Sequence, residues 1–294
     1  MERQVENNVI NNPVNIHQVC DVQFAISSKI VKSIKLELNS KGKLVVNIHG
    51  SSGSGKSGVA ALVADRLNAF GIKTCLLNGD HYPRRIPIVN DAERLRVYRE
   101  AGMTGLIDAS LYSEKVQQIL NHLMHDHQDA NPDLSEKFKW IKIYQMSGRK
   151  ALESYLGTSY EQDFHRVNQI IKGFKEGDRD VYLKHMGTSI NDISFHKVSF
   201  EKTEVLILEW THGNSQYLKG IDMSVLLHVT PKESLKNRLK RNRDSFIGSP
   251  FTDMVIDIER DQIYTELYKC HLIFDQVGNA LSLKDVSLNR RAYG

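Results

Sequence analysis

The chain has 294 residues with 39 Lys+Arg against 35 Asp+Glu, a formal charge of +4. Hydrophobic residues make up 40% and charged residues 25%, which excludes a globally disordered chain, and 19 Gly with 6 Pro and no repeat excludes a fibrous one. No apolar run approaches the roughly 18 residues of a membrane span, and the opening MERQVENNVINN lacks the apolar core of a secretory signal.

Three scattered cysteines, Cys20, Cys75 and Cys270, suggest neither a disulfide framework nor a zinc site. The expectation is a cytoplasmic protein with no nucleic-acid or membrane partner, since the small positive charge is spread along the chain. A homo-oligomer is left open.

Residues 1–40 read as a leader and peripheral element. In 22–38 the apolar positions fit helix and strand alike. Leu44 to Ile48 predicts a buried strand ending at Gly50. A Ser/Gly loop follows, then a helix with Val59, Leu62, Val63, Leu67 and Phe70 on one face, closed by Gly71. Residues 73–77 predict the next strand, so 44–80 form a βαβ unit. Helices are expected over 91–101 and 112–125 and through most of 136–175, with Gly177 as a stop. Asp180 to Leu183 reads as a short strand. Further strands fall at 204–209, 223–229 and 271–274, with helices at 232–243 and about 254–267.

Five apolar strands alternating with helices predict a doubly wound α/β fold, which the glycine-rich stretch GSSGSGKS after the first strand makes one of the P-loop NTPase type. It has three layers, a five-stranded mainly parallel sheet and helices on both faces. The main domain is expected over 41–294, with an acceptor-side insertion at about 103–160 and an arginine-rich lid at about 232–252.

Gly50-Ser51-Ser52-Gly53-Ser54-Gly55-Lys56-Ser57 matches G-x-x-x-x-G-K-[ST] at every fixed position. Chance would produce the match roughly once in a hundred such chains. The glycines allow a tight turn that brings N–H groups to phosphate, and the helix that follows adds its N-terminal partial charge. The loop and Gly58 are therefore expected to bind nucleotide. Lys56 is expected at the β- and γ-phosphates and Ser57 on Mg2+. Asn-Lys-x-Asp is absent, and the lone Asp-x-x-Gly, Asp275–Gly278, follows the last strand, which argues against a GTPase.

A small-molecule kinase needs an acid on the neighbouring strand, an acid near Mg2+ and cations for the transferring group. Asp80 ends the second strand and can accept a hydroxyl proton. Glu209 ends EVLILE on the same rim, where it can hold Mg2+, partly through water, or touch the acceptor. Asp80 is a second candidate beside the metal. The basic segment SLKNRLKRNRD carries Lys236, Arg238, Lys240, Arg241 and Arg243 on a short helix before a Gly/Pro loop, the pattern of a lid over phosphates.

With these pieces in order, the chain resembles the uridine kinase, phosphoribulokinase and pantothenate kinase group. The matching stretches are GSSGSGKS, GDHYPRR, Asp163-Phe164 before KGFKEGDRDVYL, VLILEW, and DMSVLLHVTPKESLKNRLKRNRD. The resemblance implies an ATP- and Mg2+-dependent kinase acting on a hydroxyl of a nucleoside, sugar or sugar phosphate, with Asp80 as base and the arginine segment as lid, Arg238 and Arg241 serving as catalytic cations and Arg243 on the nucleotide. It departs at Trp210, where the group has glycine, and at Asp180-Val181-Tyr182-Leu183, which keeps only the tyrosine of Pro-x-Tyr-Asp. GDHYPR is also similar to a stretch of adenylylsulfate kinases, which keeps that acceptor open. A nucleotide-binding regulator or a coupled ATPase is the other class of reading.

Acceptor contacts are expected from Tyr82, Arg84, Arg85, Lys184, Glu209, Trp210 and His212. Arginine forks suit anionic groups and the aromatics suit a base or sugar. Arg94, Arg96 and Arg99 extend the basic run. His122, His125 and His127 stand together without matching ligands.

Overall fold

The computed structural model describes residues 21–241 and 248–286. Arg243 and the side chain of Arg241 lie outside the described residues.

Five strands, β1 (Leu44–His49), β2 (Thr74–Asn78), β5 (Val205–Glu209), β6 (Met223–Leu227) and β7 (Leu272–Phe274), form one sheet in the order β2-β5-β1-β6-β7. Every pairing in it is parallel. Alternate residues of a strand face opposite layers, and both layers here are apolar. Leu44, Val46 and Ile48 join one core with α1 (Asp21–Lys41) and α2 (Lys56–Ala69). Val45, Leu206 and Leu208 face the other layer, against Phe164, Val167, Ile170 and Phe174 of α7 (Phe164–Glu176).

The segment expected at the periphery behaves otherwise. Helix α1 buries Ile26, Ile30, Val31 and Ile34 in the central core, with Ile30 and Ile34 wholly inaccessible. Burial of such side chains is worth about 1.5–3 kcal/mol each. Its apolar positions alternate at Ile34, Leu36 and Leu38, which hid the helix in the sequence, and Leu36 points to solvent.

After β2, residues 79–81 form one 3-10 turn, and a mainly helical region follows. It comprises α3 (Pro87–Asp108), α4 (Glu114–His125), the short α5 (Leu134–Lys137) and α6 (Ile141–Tyr155). This region, which takes in most of the expected insertion, has its own core around Tyr98, Leu106, Leu120, Ile141 and Tyr144. The helix predicted through 136–175 is broken at 156–163, where the loop runs back beneath α3. Asp163 then caps α7 by accepting from the Arg166 N–H at 3.1 Å, and Gly177, at φ 80°, ends it.

The short strand foreseen at 180–183 is β3 (Val181–Met186). It pairs antiparallel with β4 (Ile193–Val198), a strand the pattern did not show, in a separate hairpin. α8 (Pro231–Arg241) follows β6, and α9 (Pro250–Thr265) precedes β7.

Candidate active site

The phosphate loop joins β1 to α2. Gly53 has φ 82° and approaches α8 so closely that a Cβ on it would stand 2.8 Å from the Ser234 carbonyl oxygen. Only glycine suits both demands. The loop's carbonyls are held from outside. Ser234 donates its hydroxyl to the Ser52 carbonyl at 2.8 Å, Asn237 donates to Gly53 at 2.9 Å and Gln276 to Ser54 at 3.2 Å. This is the arrangement in which such a loop turns N–H groups toward phosphate. None of these three supporting side chains has a sequence signal, because each reads as an ordinary polar residue.

Lys56 opens α2 and is 7% exposed. Glu209, 2% exposed, stands at the carboxyl end of β5, in register with Ile48 of β1 and Asn78 of β2. The Ser57 hydroxyl donates to Glu209 Oε1 at 3.2 Å, and Lys56 Nζ lies 3.8 Å from the same oxygen. The sequence placed these three groups on one rim, and they meet there. Ser57 and Glu209 offer hard oxygen donors of the kind Mg2+ takes, so the residues present fit that ion.

Asp80 lies two residues past Asn78 on the same rim. Its N–H donates to Asn78 Oδ1 at 2.9 Å, which fixes the turn. Its carboxylate is exposed and has no hydrogen-bond or ion-pair partner among the described residues. His49, fully buried beside the loop, is driven down to a pKa of about 3, first by burial and then by Lys56. It therefore stays neutral under the phosphate site.

Arg238 is 3% exposed, with its stem 3.4 Å from a Cβ built on Gly53 and Nη1 4.0 Å from Asp253 Oδ1. It is a cation fixed beside the phosphate loop, and α8 up to that point is bonded to the loop.

On the acceptor side, several expected contacts turn out otherwise. Tyr82 is 1% exposed in the core beside α7, where its hydroxyl accepts from the Lys184 N–H at 3.1 Å and burial pushes its pKa up to about 12. Trp210 is as deeply buried, with its ring 5.0 Å from Phe164 and edge-on to His212 at 5.7 Å. Both are packing residues rather than an exposed stacking surface; their apolar bulk outweighs the polar tip.

The arginines are engaged within the protein. Arg84 Nε donates to the Ser159 carbonyl at 2.6 Å, and Arg85 Nη1 to the Tyr155 hydroxyl at 3.0 Å. Arg94 pairs with Glu161 at 2.5 Å and Glu259 at 3.4 Å. Arg99 grips Asp129 with two bonds of 2.9 Å, and Arg96 pairs with Glu93 and Glu100.

Glu161, wholly buried, was not foreseen. It accepts from Arg94, from Asn90 at 3.1 Å and from the Gly157 N–H at 2.7 Å. Burial alone would raise its pKa, but Arg94, His212 and these donors hold it at about 2. His212 sits against Gly157 at this cluster. Lys184 Nζ donates to the Pro83 carbonyl at 3.4 Å, and burial lowers its pKa.

A second unforeseen group follows Asp80 directly. The His81 ring lies 4.5 Å from His185, which is 6.2 Å from His196 on β4. Sequence separations of more than a hundred residues conceal the first contact. His122, His125 and His127 are near Asp126 on the surface, and no metal-holding group of three exists among the described residues.

The loop of Gly50 to Ser57, the adjoining acid at the end of β5 and the parallel strand order decide the class. The fold is of the P-loop NTPase type.

No family model matches the chain. It is similar to a bifunctional alpha-galactosidase/sucrose kinase of Mediterraneibacter gnavus, with 33% identity over 241 residues. The match takes in 82% of this chain and 21% of that protein, so the chain spans about a fifth of the curated relative's length. Among solved structures, it is similar to a possible uridine kinase from Bacillus stearothermophilus, at 16% identity and TM-score 0.47, covering 87% of this chain and 100% of that one. It is also similar to a deoxyadenosine kinase from M. mycoides, at 12% identity and TM-score 0.33, covering 85% and 99%. No helix among the described residues is long and apolar enough to cross a membrane.

Proposed function

We propose that the protein is an ATP- and Mg2+-dependent kinase that transfers the γ-phosphoryl group to a hydroxyl of a small neutral sugar. The observation that carries this reading is the meeting of Lys56 and Ser57 on Glu209, with the exposed carboxylate of Asp80 on the adjoining strand end. A protein that only bound nucleotide would not need that second acid.

In this reading the loop N–H groups and Lys56 hold the phosphates and offset the charge that grows on the transferring group. Ser57 and Glu209 hold Mg2+, Glu209 partly through water; when bound, the ion supplies further neutralisation of phosphate charge. Asp80 accepts the proton of the attacking hydroxyl. Arg238 adds a fixed positive charge beside Gly53.

Two observations favour a neutral sugar over a sugar phosphate or adenylylsulfate. Arg84, Arg85, Arg94 and Arg99 all have partners within the protein, so none is held ready for an anionic acceptor. Of the two activities in the Mediterraneibacter protein's name, a sucrose kinase is the one that would use a phosphate loop.

The test is ADP formation with Mg2+ against sucrose and other neutral sugars, nucleosides, sugar phosphates, pantothenate and adenylylsulfate. ADP that depends on a neutral sugar and is lost in Asp80→Asn is expected. Equal ADP formation without any acceptor would mean a coupled ATPase and defeat the reading.

A further inference from the structure

The N-terminal turns of α1 are clamped between the 275–279 turn and α2. Lys29 Nζ donates to the Gly278 carbonyl at 2.8 Å, and a Cβ on Gly278 would stand 3.4 Å from Val22 and 3.7 Å from Ile26. The 275–279 turn that receives them leads back to the phosphate loop through Gln276. On the other side, Arg66 of α2 donates to the Ser28 hydroxyl at 2.6 Å, and its guanidinium lies 4.3 Å from the Phe24 ring centre.

This clamp sets Gln23 against the start of α2. Its Nε2 is 2.9 Å from the position a Cβ on Gly58 would take and 3.2 Å from that on Gly55. Those two glycines flank Lys56 and Ser57. The first-turn N–H groups of a helix have no intrahelical acceptor, and in a phosphate loop they face the α- and β-phosphates. The half-buried Gln23 amide thus stands against the first turn of α2, in space left by the missing side chain of Gly58. Among the described residues it has no hydrogen-bond partner.

We infer that Gln23 is a further nucleotide-binding residue, supplied by the helix that precedes β1, whose side-chain amide donates to the α-phosphate or ribose of the bound nucleoside triphosphate. This rests on the nucleotide reading of the 50–57 loop. It gives α1 a part in binding as well as in packing, and it gives the glycine at position 58 a reason, since an alanine there would push the amide away.

Isothermal titration with ATP and Mg2+ tests it on the full chain carrying Gln23→Ala, Gln23→Met, Gln23→Glu or Lys56→Ala. The Ala and Met variants are expected to weaken ATP binding about three- to tenfold, the usual worth of one hydrogen bond. Met retains the packing volume, so its melting temperature should match wild type while its affinity falls. The Glu variant places a carboxylate by the phosphates and should bind more weakly still, with the excess shrinking in high salt. Wild-type affinity in the Met and Glu variants, while Lys56→Ala loses binding, would overturn the assignment and spare the loop. Unchanged binding in Lys56→Ala would overturn the nucleotide reading and this assignment with it.

Discussion

The phosphate rim and the helical region beyond it use charge in opposite ways. At the rim, Lys56, Ser57 and Glu209 converge while Asp80 remains exposed without a partner among the described residues, and neutral side chains brace the loop from behind. In the α3 to α6 region, nearly every arginine is closed on a carboxylate or carbonyl of the protein. In the proposed reading, charge at the rim is held for a ligand, whereas charge beyond it fastens helices and loops together. A basic run in a sequence therefore carries little information until its partners are known.

The largest test of this contrast is at Asp80. Asp80→Asn should lower kcat by about 10²–10⁴ with ATP binding and melting temperature unchanged, as measured by steady-state kinetics and calorimetry. A large loss of stability instead would make Asp80 a scaffold residue and erase the distinction. The counterpart beyond the rim is Glu161→Gln, which takes the nearest carboxylate from the buried Arg94 guanidinium and leaves it Glu259 at 3.4 Å. Denaturant unfolding should show a loss of about 3–5 kcal/mol. A stable variant would mean that the cluster is not what ties the 156–163 loop to α3.

The two regions also part in their response to acid. Unfolded, His49 takes up a proton near pH 6.5; folded, it refuses one down to about 3. The unfolded state then holds more protons across that window, so stability is full above about 6.5 and falls as pH drops. The loss is about 2 kcal/mol by pH 5. Glu161, held at about 2 against an ordinary 4.5, adds a loss only as pH falls below about 4.5. Melting temperatures in steps from pH 8 to 4 should show the earlier slope flattened in His49→Gln, and a slope unchanged by that substitution would refute the assignment. The smallest effect is expected at Arg84, exposed and bonded to Ser159. Arg84→Ala should shift stability by less than about 1 kcal/mol and leave the acceptor KM within about twofold. A marked rise in KM would return the arginine run to the substrate.

What the sequence disclosed follows the same division. The loop is contiguous, and each β strand of the main sheet is a short apolar run, so Gly50 to Ser57 and the rim positions of Asp80 and Glu209 could be placed without coordinates. Tyr82 and Trp210 could not, because residue type does not say which way a ring turns at the end of a strand. Glu161 lay hidden in a polar loop, its importance arising only from burial against Arg94. β4 was missed because Ile193 and Phe195 turn to solvent and it pairs with β3 outside the main sheet. For α1, alternation of Ile34, Leu36 and Leu38 imitated a strand until packing on α2 settled the matter.

The order β2-β5-β1-β6-β7 has a consequence for how the chain comes to exist. Neither β1 nor β2 touches the other; both pair with β5, whose first residue is Val205. Residues up to about Glu209 must therefore be synthesised before any strand of the main sheet finds a neighbour. Such distant pairings close slowly. Until then the apolar runs 44–48 and 74–77 are exposed to the ribosome's surroundings, and the phosphate loop, though encoded early, is among the last features to take shape.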